Sequence, residues 1–329
     1  MSQKMKKNNL IVLTGAAGFI GRNVVELLNQ RGLENLLLVD FLGTDEKWKN
    51  LRGLRYEDIL QPQTFLERAQ AGRVSGVRSV IHLGACSATT ERNADYLLEN
   101  NYRYTRTLAE WCLDKDIRFV YASSAATYGD GSQGYSDDDT RTVKLIPLNM
   151  YGYSKHMFDL WALRHQHLKK IVGLKYFNVY GPYEDHKGDM RSLVNKAYLQ
   201  IKTRGYIELF KSENPDYKDG EQKRDFVYVR DAARVTVHFA LDSQVGGLFN
   251  CGAAQARTWI DLAKALFSAM GKKTDIRFID LPEILRGKYQ YFTQADAAKL
   301  KKAGYTAPFA SIEEGVRDYV ENYLSKTAG

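Results

Sequence analysis

The chain has 329 residues, a formal net charge of +8, and a composition 44% hydrophobic and 26% charged, the balance of a globular protein long enough for one large α/β domain or two lobes sharing a core. No apolar run reaches the length of a membrane span, and the basic residues are scattered rather than gathered in a stripe with interleaved aromatics, so neither a membrane nor a nucleic acid is expected as a partner. Three widely spaced cysteines (Cys86, Cys112, Cys251) and six histidines show no metal-ligand spacing, and no metal is expected.

A Lys-rich start (Lys4, Lys6, Lys7) precedes apolar Leu10–Leu13 and superficially resembles an export signal. The run is too short for one, and a cytoplasmic protein with reduced thiols is the expectation. Leu10–Thr14 is better read as a first strand. Thr14-Gly15-Ala16-Ala17-Gly18-Phe19-Ile20-Gly21 then opens a helix, with Ile20, Val24, Leu27 and Leu28 at helical spacing and Gly32 at its end. Glycines in this strand-to-helix turn let the backbone approach a pyrophosphate held at the positive end of the helix. The second strand, Leu36–Asp40, ends in an acid 19 residues beyond Gly21, placed to bind adenosine ribose hydroxyls. Lys47 is either a surface lysine or the partner of a 2′-phosphate. Asp58 either reaches the adenine amino group or caps a loop.

Further strands are predicted at Ser79–Leu83, Phe119–Ser123 and Val172–Phe177, alternating with helix-length segments. This pattern predicts a Rossmann doubly wound parallel sheet. Ser124 follows the strand Phe119–Ser123, either as a substrate-binding hydroxyl or as a strand-end serine satisfying backbone groups. In Asn149-Met150-Tyr151-Gly152-Tyr153-Ser154-Lys155, Tyr151 and Lys155 stand at i and i+4, one turn apart on one helix face. A phenol of reference pKa ~10 is a poor base at neutral pH. A nearby ammonium and an oxidised nicotinamide would stabilise the phenolate. His165 and His167, two apart, read as different faces of a solvated helix end.

Beyond about residue 180 the alternation weakens. Strands are expected at Phe226–Val229 and Leu248–Cys251, helices at Trp259–Met270 and from Ser311, where Glu314 completes a capping box. The expected organisation is a dinucleotide domain of residues 1–178 and about 226–275, with a smaller mixed α/β carboxyl-terminal substrate lobe of about 179–225 and 276–329.

Taken together, Gly15–Gly21, Asp40, His82-Leu83-Gly84-Ala85, Ser123–Gly129, Tyr151–Lys155, Tyr176–Pro182 and Arg224–Asp231 resemble the extended short-chain dehydrogenase/reductase superfamily, most of whose members act on nucleotide sugars. Gly84–Ser87 with Thr89-Thr90-Glu91, Ala122–Gly129, Tyr183–Gly188 and Gly287–Asp296 carry the resemblance further, to the ADP-L-glycero-D-manno-heptose 6-epimerase family. That resemblance implies an isomerase that inverts C6 of an ADP-linked heptose for the lipopolysaccharide core, by transient oxidation and re-reduction. It implies Tyr151 and Lys187 as two acid/base groups, with Lys155 and Ser124 beside Tyr151. It implies a cofactor site of Gly15, Gly18, Phe19, Ile20, Gly21, Asp40, Phe41, Lys47, Asp58, Leu83, Gly84, Ala85, Ser87, Asn100, Tyr151, Lys155 and Val179. Substrate would meet Ser87, Ser124, Asn178, Asp189, Lys196, Phe210, Arg224 and Tyr289. The resemblance implies NADP, with NAD the alternative, and a homo-oligomer. Three departures stand out: Phe41 replaces a polar residue beside Asp40, no second phosphate-pairing lysine occurs near Gln61–Gln63, and there is an insertion near Pro215–Glu221. Among rivals, a 4,6-dehydratase needs an acid/base pair where Ala125 and Ala126 stand, and a 4-epimerase leaves Lys187 without a role. A non-catalytic dinucleotide-sensing protein has no need of Tyr151, Lys155 and Ser124 together.

Overall fold

The computed structural model describes residues 9–283 and 289–327; the Lys-rich start, and Gly287 and Lys288 of the Gly287–Asp296 segment, lie outside the described residues. The first six strands are β1 (Leu10–Thr14), β2 (Leu36–Val39), β3 (Asp58–Leu60), β4 (Val77–His82), β5 (Arg118–Ser124) and β6 (Val172–Tyr176). They are followed by β7 (Asn178–Tyr180), β8 (Ile207–Phe210), β9 (Lys223–Tyr228), β10 (Gly247–Cys251), β11 (Ala256–Thr258) and β12 (Ile276–Ile279). The helices are α1 (Phe19–Gln30), α2 (Pro62–Gln70), α3 (Ala94–Leu97), α4 (Tyr104–Asp114), α5 (Met150–Arg164), α6 (Leu193–Arg204), α7 (Val229–Val237), α8 (Trp259–Ala269), α9 (Ala298–Lys302) and α10 (Ile312–Tyr319).

A seven-stranded sheet runs in the order β3-β2-β1-β4-β5-β6-β10, every neighbouring pair parallel. This is a Rossmann doubly wound sheet extended by a seventh strand. Both faces are covered, so β1 and β2 read as near-continuous apolar runs rather than alternating with polar residues. Ile11, Leu13, Leu36 and Leu38 join α1 and α7 on one face. Val12, Leu37 and Val39 join α2, α4 and α5 on the other. The strand order reverses between β1 and β4, which opens a crevice at their carboxyl ends.

The smaller sheets are mixed. β9 pairs antiparallel with β11 and parallel with β7, while β8 pairs with β12. A separate core gathers α6, α8 and α10 around Val194, Ile201, Leu266, Phe267 and Val316. α10 starts at Ser311 with the expected capping box to Glu314. The short strands β3, β7, β8, β11 and β12 carry too few residues to show a period in sequence. The segment around Pro215–Glu221 is a loop in which Asp219 accepts from Ser212 N (2.8 Å) and Tyr217 stacks on Tyr291. His165 and His167 do not point apart. Their rings stack at 5.6 Å because α5 has ended at Arg164 and Gln166 takes a left-handed φ of 57°.

Candidate active site

The crevice is floored by glycines. Gly15 has φ +70°, and a Cβ there would lie 2.6 Å from Gly84 N, so the β1 and β4 loops touch backbone to backbone. A Cβ on Gly21 would lie 2.0 Å from Gly15 O. Gly18 is the N-cap of α1 and has no side chain to satisfy the first amides of that 12-residue helix. Those amides, with the helix dipole behind them, suit a phosphate, so the residues present fit a dinucleotide. Asp40 is buried at the end of β2: Oδ2 accepts from Ala17 N (2.8 Å) and Oδ1 from Lys47 Nζ (2.6 Å), which also reaches Phe41 O (3.1 Å). Lys47 thus stands against Asp40 rather than free in solvent. The Phe41 side chain is 55% exposed.

A hydrogen-bond chain ties this floor to α5. Thr105 Oγ1 gives its proton to Asn101 O (2.8 Å), so it accepts from His82 Nε2–H (2.9 Å). His82 Nδ1 then accepts from Thr14 Oγ1 (2.6 Å), which itself accepts from Gly84 N (3.0 Å). Burial, reinforced by Lys155, pushes His82 down to about 3 and keeps it neutral. Asn101 clamps the Cys86 backbone, accepting from its N and donating to its O (each 2.9 Å), and donates to Ser154 Oγ (2.9 Å). Ser154 Oγ in turn donates to Tyr151 O (2.7 Å). Asn100 instead turns to Tyr96 O (2.9 Å). Both asparagines lie in the π-helical turn Leu98–Arg103, whose extra residue per turn shifts the inward-facing position.

The helix carrying the Tyr/Lys pair starts at N-cap Asn149, whose Oδ1 accepts from Gly152 N (2.8 Å). Tyr151 faces Ser124, whose hydroxyl lowers its pKa. Ser124 Oγ accepts from Ala126 N (3.1 Å), leaving its own proton for the phenol oxygen. Burial holds Tyr151 above its ordinary value, the Ser124 hydroxyl lowers it, and Cys86 raises it. The downward pull therefore comes from Ser124, because Lys155 Nζ is directed to Ala122 O (2.9 Å). Lys155 is 5% exposed, and burial pushes it down to about 8 against the opposing charge of Asp159.

Lys187 lies in the turn after β7, its ammonium 5.1 Å from the centre of the Phe19 ring at the start of α1. Burial lowers it and Glu184 raises it. Asn50 docks this turn on the glycine loop, donating to Ala17 O (2.9 Å) and lying 3.1 Å from His186 Nδ1.

In the smaller lobe the Arg224 guanidinium lies 5.1 Å from the Tyr289 ring and 5.6 Å from Trp259. Trp259 Nε1 donates to Tyr289 OH (2.9 Å), so the two rings form one wall. Arg224 also donates to the Lys223 and Gln290 carbonyls. Burial lowers its pKa while Tyr289, Tyr135 and Tyr217 raise it. Gln222, 1% exposed, has neither amide atom hydrogen-bonded among the described residues; no motif singles it out in sequence.

Other predicted positions show no such convergence. Asp58 is exposed, and its carboxylate accepts from Ile59 N (2.8 Å). Ser87, Asn178 and Asp189 are exposed, while Lys196 Nζ donates to Asp189 O (3.2 Å). Phe210 is half-buried at the end of β8, and Val179 packs between the two cores. Leu83 N donates to Thr14 O (3.1 Å), keeping Leu83 to Ala85 along the crevice wall.

Residues 11–252 match the model of the NAD dependent epimerase/dehydratase family. The chain is 53% identical over 317 residues to an ADP-L-glycero-D-manno-heptose-6-epimerase of Nitratidesulfovibrio vulgaris, covering 96% of this chain and 98% of that protein. A protein of the same name from Fusobacterium nucleatum is 45% identical over 327 residues, covering 96% and 98%. The crystal structure of the Helicobacter pylori ADP-L-glycero-D-manno-heptose-6-epimerase superposes with a TM-score of 0.81 at 27% identity, covering 98% of each chain. With its glycine-floored crevice and its Tyr151–Ser124 pair, the chain belongs to the NAD dependent epimerase/dehydratase family and takes a nicotinamide dinucleotide as cofactor.

Proposed function

We propose that this enzyme inverts C6 of the heptose in ADP-D-glycero-D-manno-heptose, giving ADP-L-glycero-D-manno-heptose for the lipopolysaccharide core, and that its cofactor is NADP. The observation that carries the reading is a Tyr151–Ser124 hydroxyl pair with Lys155 behind it, in a chain 53% identical to a protein of that name. When bound, the nicotinamide supplies the acceptor that takes a hydride from C6 and returns it.

The protein's own part is to hold and to move protons. The loop from Gly15 to Gly21, with Phe19 and Ile20, presents amides to the pyrophosphate. Asp40 faces the adenosine ribose, and Lys47, already beside it, pairs with a 2′-phosphate; this favours NADP. Phe41, Asp58, Leu83, Gly84, Ala85, Ser87, Asn100 and Val179 line the remaining length. Tyr151 takes the proton of the C6 hydroxyl while Ser124 holds that oxygen, and Lys155 orients the nicotinamide ribose. Inversion returns the hydride to the opposite face, so the keto oxygen is reprotonated in a second orientation, and Lys187 supplies that proton. Its lowered pKa suits the exchange. Arg224 with Tyr289 grips the diphosphate, and Asn178, Asp189, Lys196 and Phe210 border the sugar. A homo-oligomer and a cytoplasmic setting belong to the same reading; the buried free thiols of Cys112 and Cys251 suit a reducing compartment.

The test is to incubate the protein with ADP-D-glycero-D-manno-heptose and follow the C6 configuration by NMR, identifying the dinucleotide released on denaturation by mass spectrometry. Inversion at C6 with NADP released is expected. No inversion by dinucleotide-loaded protein overturns the substrate assignment, and NAD in the released fraction overturns the cofactor assignment.

A further inference from the structure

Behind the hydride site lies a buried ion pair to which the chemistry above gives no task. Lys175 of β6 and Asp159 of α5 meet at 2.6 Å with side chains 1% and 0% exposed. Asp159 accepts from Tyr121 OH at Oδ1 (2.8 Å) and from Ser123 Oγ at Oδ2 (2.7 Å). Thr127 Oγ1 gives its proton to the Ser124 carbonyl (2.8 Å), so it accepts from Lys175 Nζ (2.8 Å). Desolvating two charges is expensive even when they are paired, and an apolar pair of similar volume is often as stable. Stability alone is a weak reason for this cluster.

Its placement gives a stronger one. Asp159 follows Lys155 by one helical turn, and Lys155 follows Tyr151 by one turn. Along β5 the cluster holds Tyr121, Ser123 and, through Thr127, Ser124, while Lys155 Nζ holds Ala122 between them. The titratable groups around Lys155 are Tyr151 and Asp159 on its own helix, His82 at the end of β4 and Cys86 in the following loop. Of these, Asp159 is the carboxylate, and it is shared with Lys175.

We propose that Asp159 and Lys175 are positioning residues of the hydride site: Asp159 is the counter-charge that keeps Lys155 an ammonium, and Lys175 divides that charge while locking Ser124 against the catalytic helix. The proposal rests on the roles given above to Tyr151, Ser124 and Lys155. Burial pushes Lys155 down to about 8 even with Asp159 opposing it, so its charge at neutral pH is sensitive to both partners.

The experiment is the pH dependence of kcat/KM for epimerisation, from neutral to alkaline, with folding checked by thermal denaturation. Asp159→Asn is expected to move the alkaline limb down by roughly one pH unit, and Lys175→Met to move it up by a similar amount. The Asp159→Asn/Lys175→Met double variant, neutral throughout, is expected to return it near the wild-type position. If Lys175→Met does not fold, Lys175→Gln, which keeps a donor and drops the charge, carries the same prediction; if Asp159→Asn does not fold, the double variant is compared with the lysine variant alone. A cluster that is merely structural lowers the rate without moving the limb, or moves it the same way in every variant, and either result overturns the proposal. Lys155→Met separates the two layers. If it keeps wild-type activity, the hydride-site reading itself falls. If it loses activity while the Asp159 and Lys175 variants leave the limb in place, the positioning proposal alone falls.

Discussion

A methyl group at Gly21 is a stringent probe of the cofactor cradle. A Cβ there would lie 2.0 Å from Gly15 O, 2.8 Å from Gly15 C and 3.0 Å from Ala16 Cα. All three atoms are backbone of the phosphate loop, so no side chain can swing aside, and α1 must part from the loop by well over an ångström. Overpacking of this kind costs about 1–3 kcal/mol. The displaced backbone is the surface proposed to meet the pyrophosphate, so the strain should appear in cofactor affinity, weakened roughly 5- to 150-fold in Gly21→Ala. Gly32→Ala is the control: φ is +75° but nothing lies within 4 Å of its Cβ. It should cost about 1 kcal/mol of stability through backbone strain and leave affinity alone. Calorimetric titration with the oxidised dinucleotide, beside thermal denaturation, measures both. Wild-type affinity in Gly21→Ala would refute the reasoning, as would an equal loss of affinity in Gly32→Ala.

Lys47→Ala removes the ammonium 2.6 Å from Asp40 Oδ1; NADP binding should weaken about 10- to 100-fold, the worth of a charge-assisted bond, with NAD binding changed far less. Equal losses in the two titrations would speak against a 2′-phosphate partner. Lys187→Met should halt net inversion after the first half-reaction, so that reduced cofactor accumulates in near-ultraviolet absorbance during turnover; a wild-type inversion rate would remove Lys187 from the mechanism. Arg224→Met should raise the substrate KM at least about tenfold through loss of a charged diphosphate partner, with cofactor affinity unchanged. His82 sits near 3 in the fold against 6.5 in the unfolded chain. In that window the unfolded chain binds a proton the folded one does not, so stability is lost as pH falls below about 6.5, by up to about 1.4 kcal/mol per pH unit. Denaturant midpoints along an acid series should show that slope reduced in His82→Gln.

The parallel half of the fold was legible because its first two strands are apolar on both faces and its first turn is written in glycines. The elements that carry the candidate site were legible where a local spacing marks them: the glycine turn from Gly15 to Gly21 between β1 and α1, Asp40 at the end of β2, and the Tyr151/Lys155 turn of α5. What escaped depends on contacts distant in sequence. Asn101 rather than Asn100 enters the hydrogen-bond chain, because a π-helical turn moves the inward position by one residue, which periodicity does not reveal. Lys155 turns toward Ala122 rather than Tyr151, a consequence of how α5 packs on β5. Asp159 and Lys175 are 16 positions apart on different elements, and no short motif joins them. The aromatic wall around Arg224 is assembled from Trp259 and Tyr289, on segments far from it in the chain.

The central claim is that C6 is oxidised and re-reduced within one site, with Tyr151 handling the proton. Turnover of substrate deuterated at C6, in ordinary water, tests it most directly. The account predicts that the inverted product keeps its deuterium at C6, since the same hydride leaves and returns, and that Tyr151→Phe slows inversion by about 10²- to 10⁴-fold while still binding cofactor. Product that has exchanged its C6 deuterium for solvent hydrogen, or a Tyr151→Phe enzyme inverting at the wild-type rate, would contradict it.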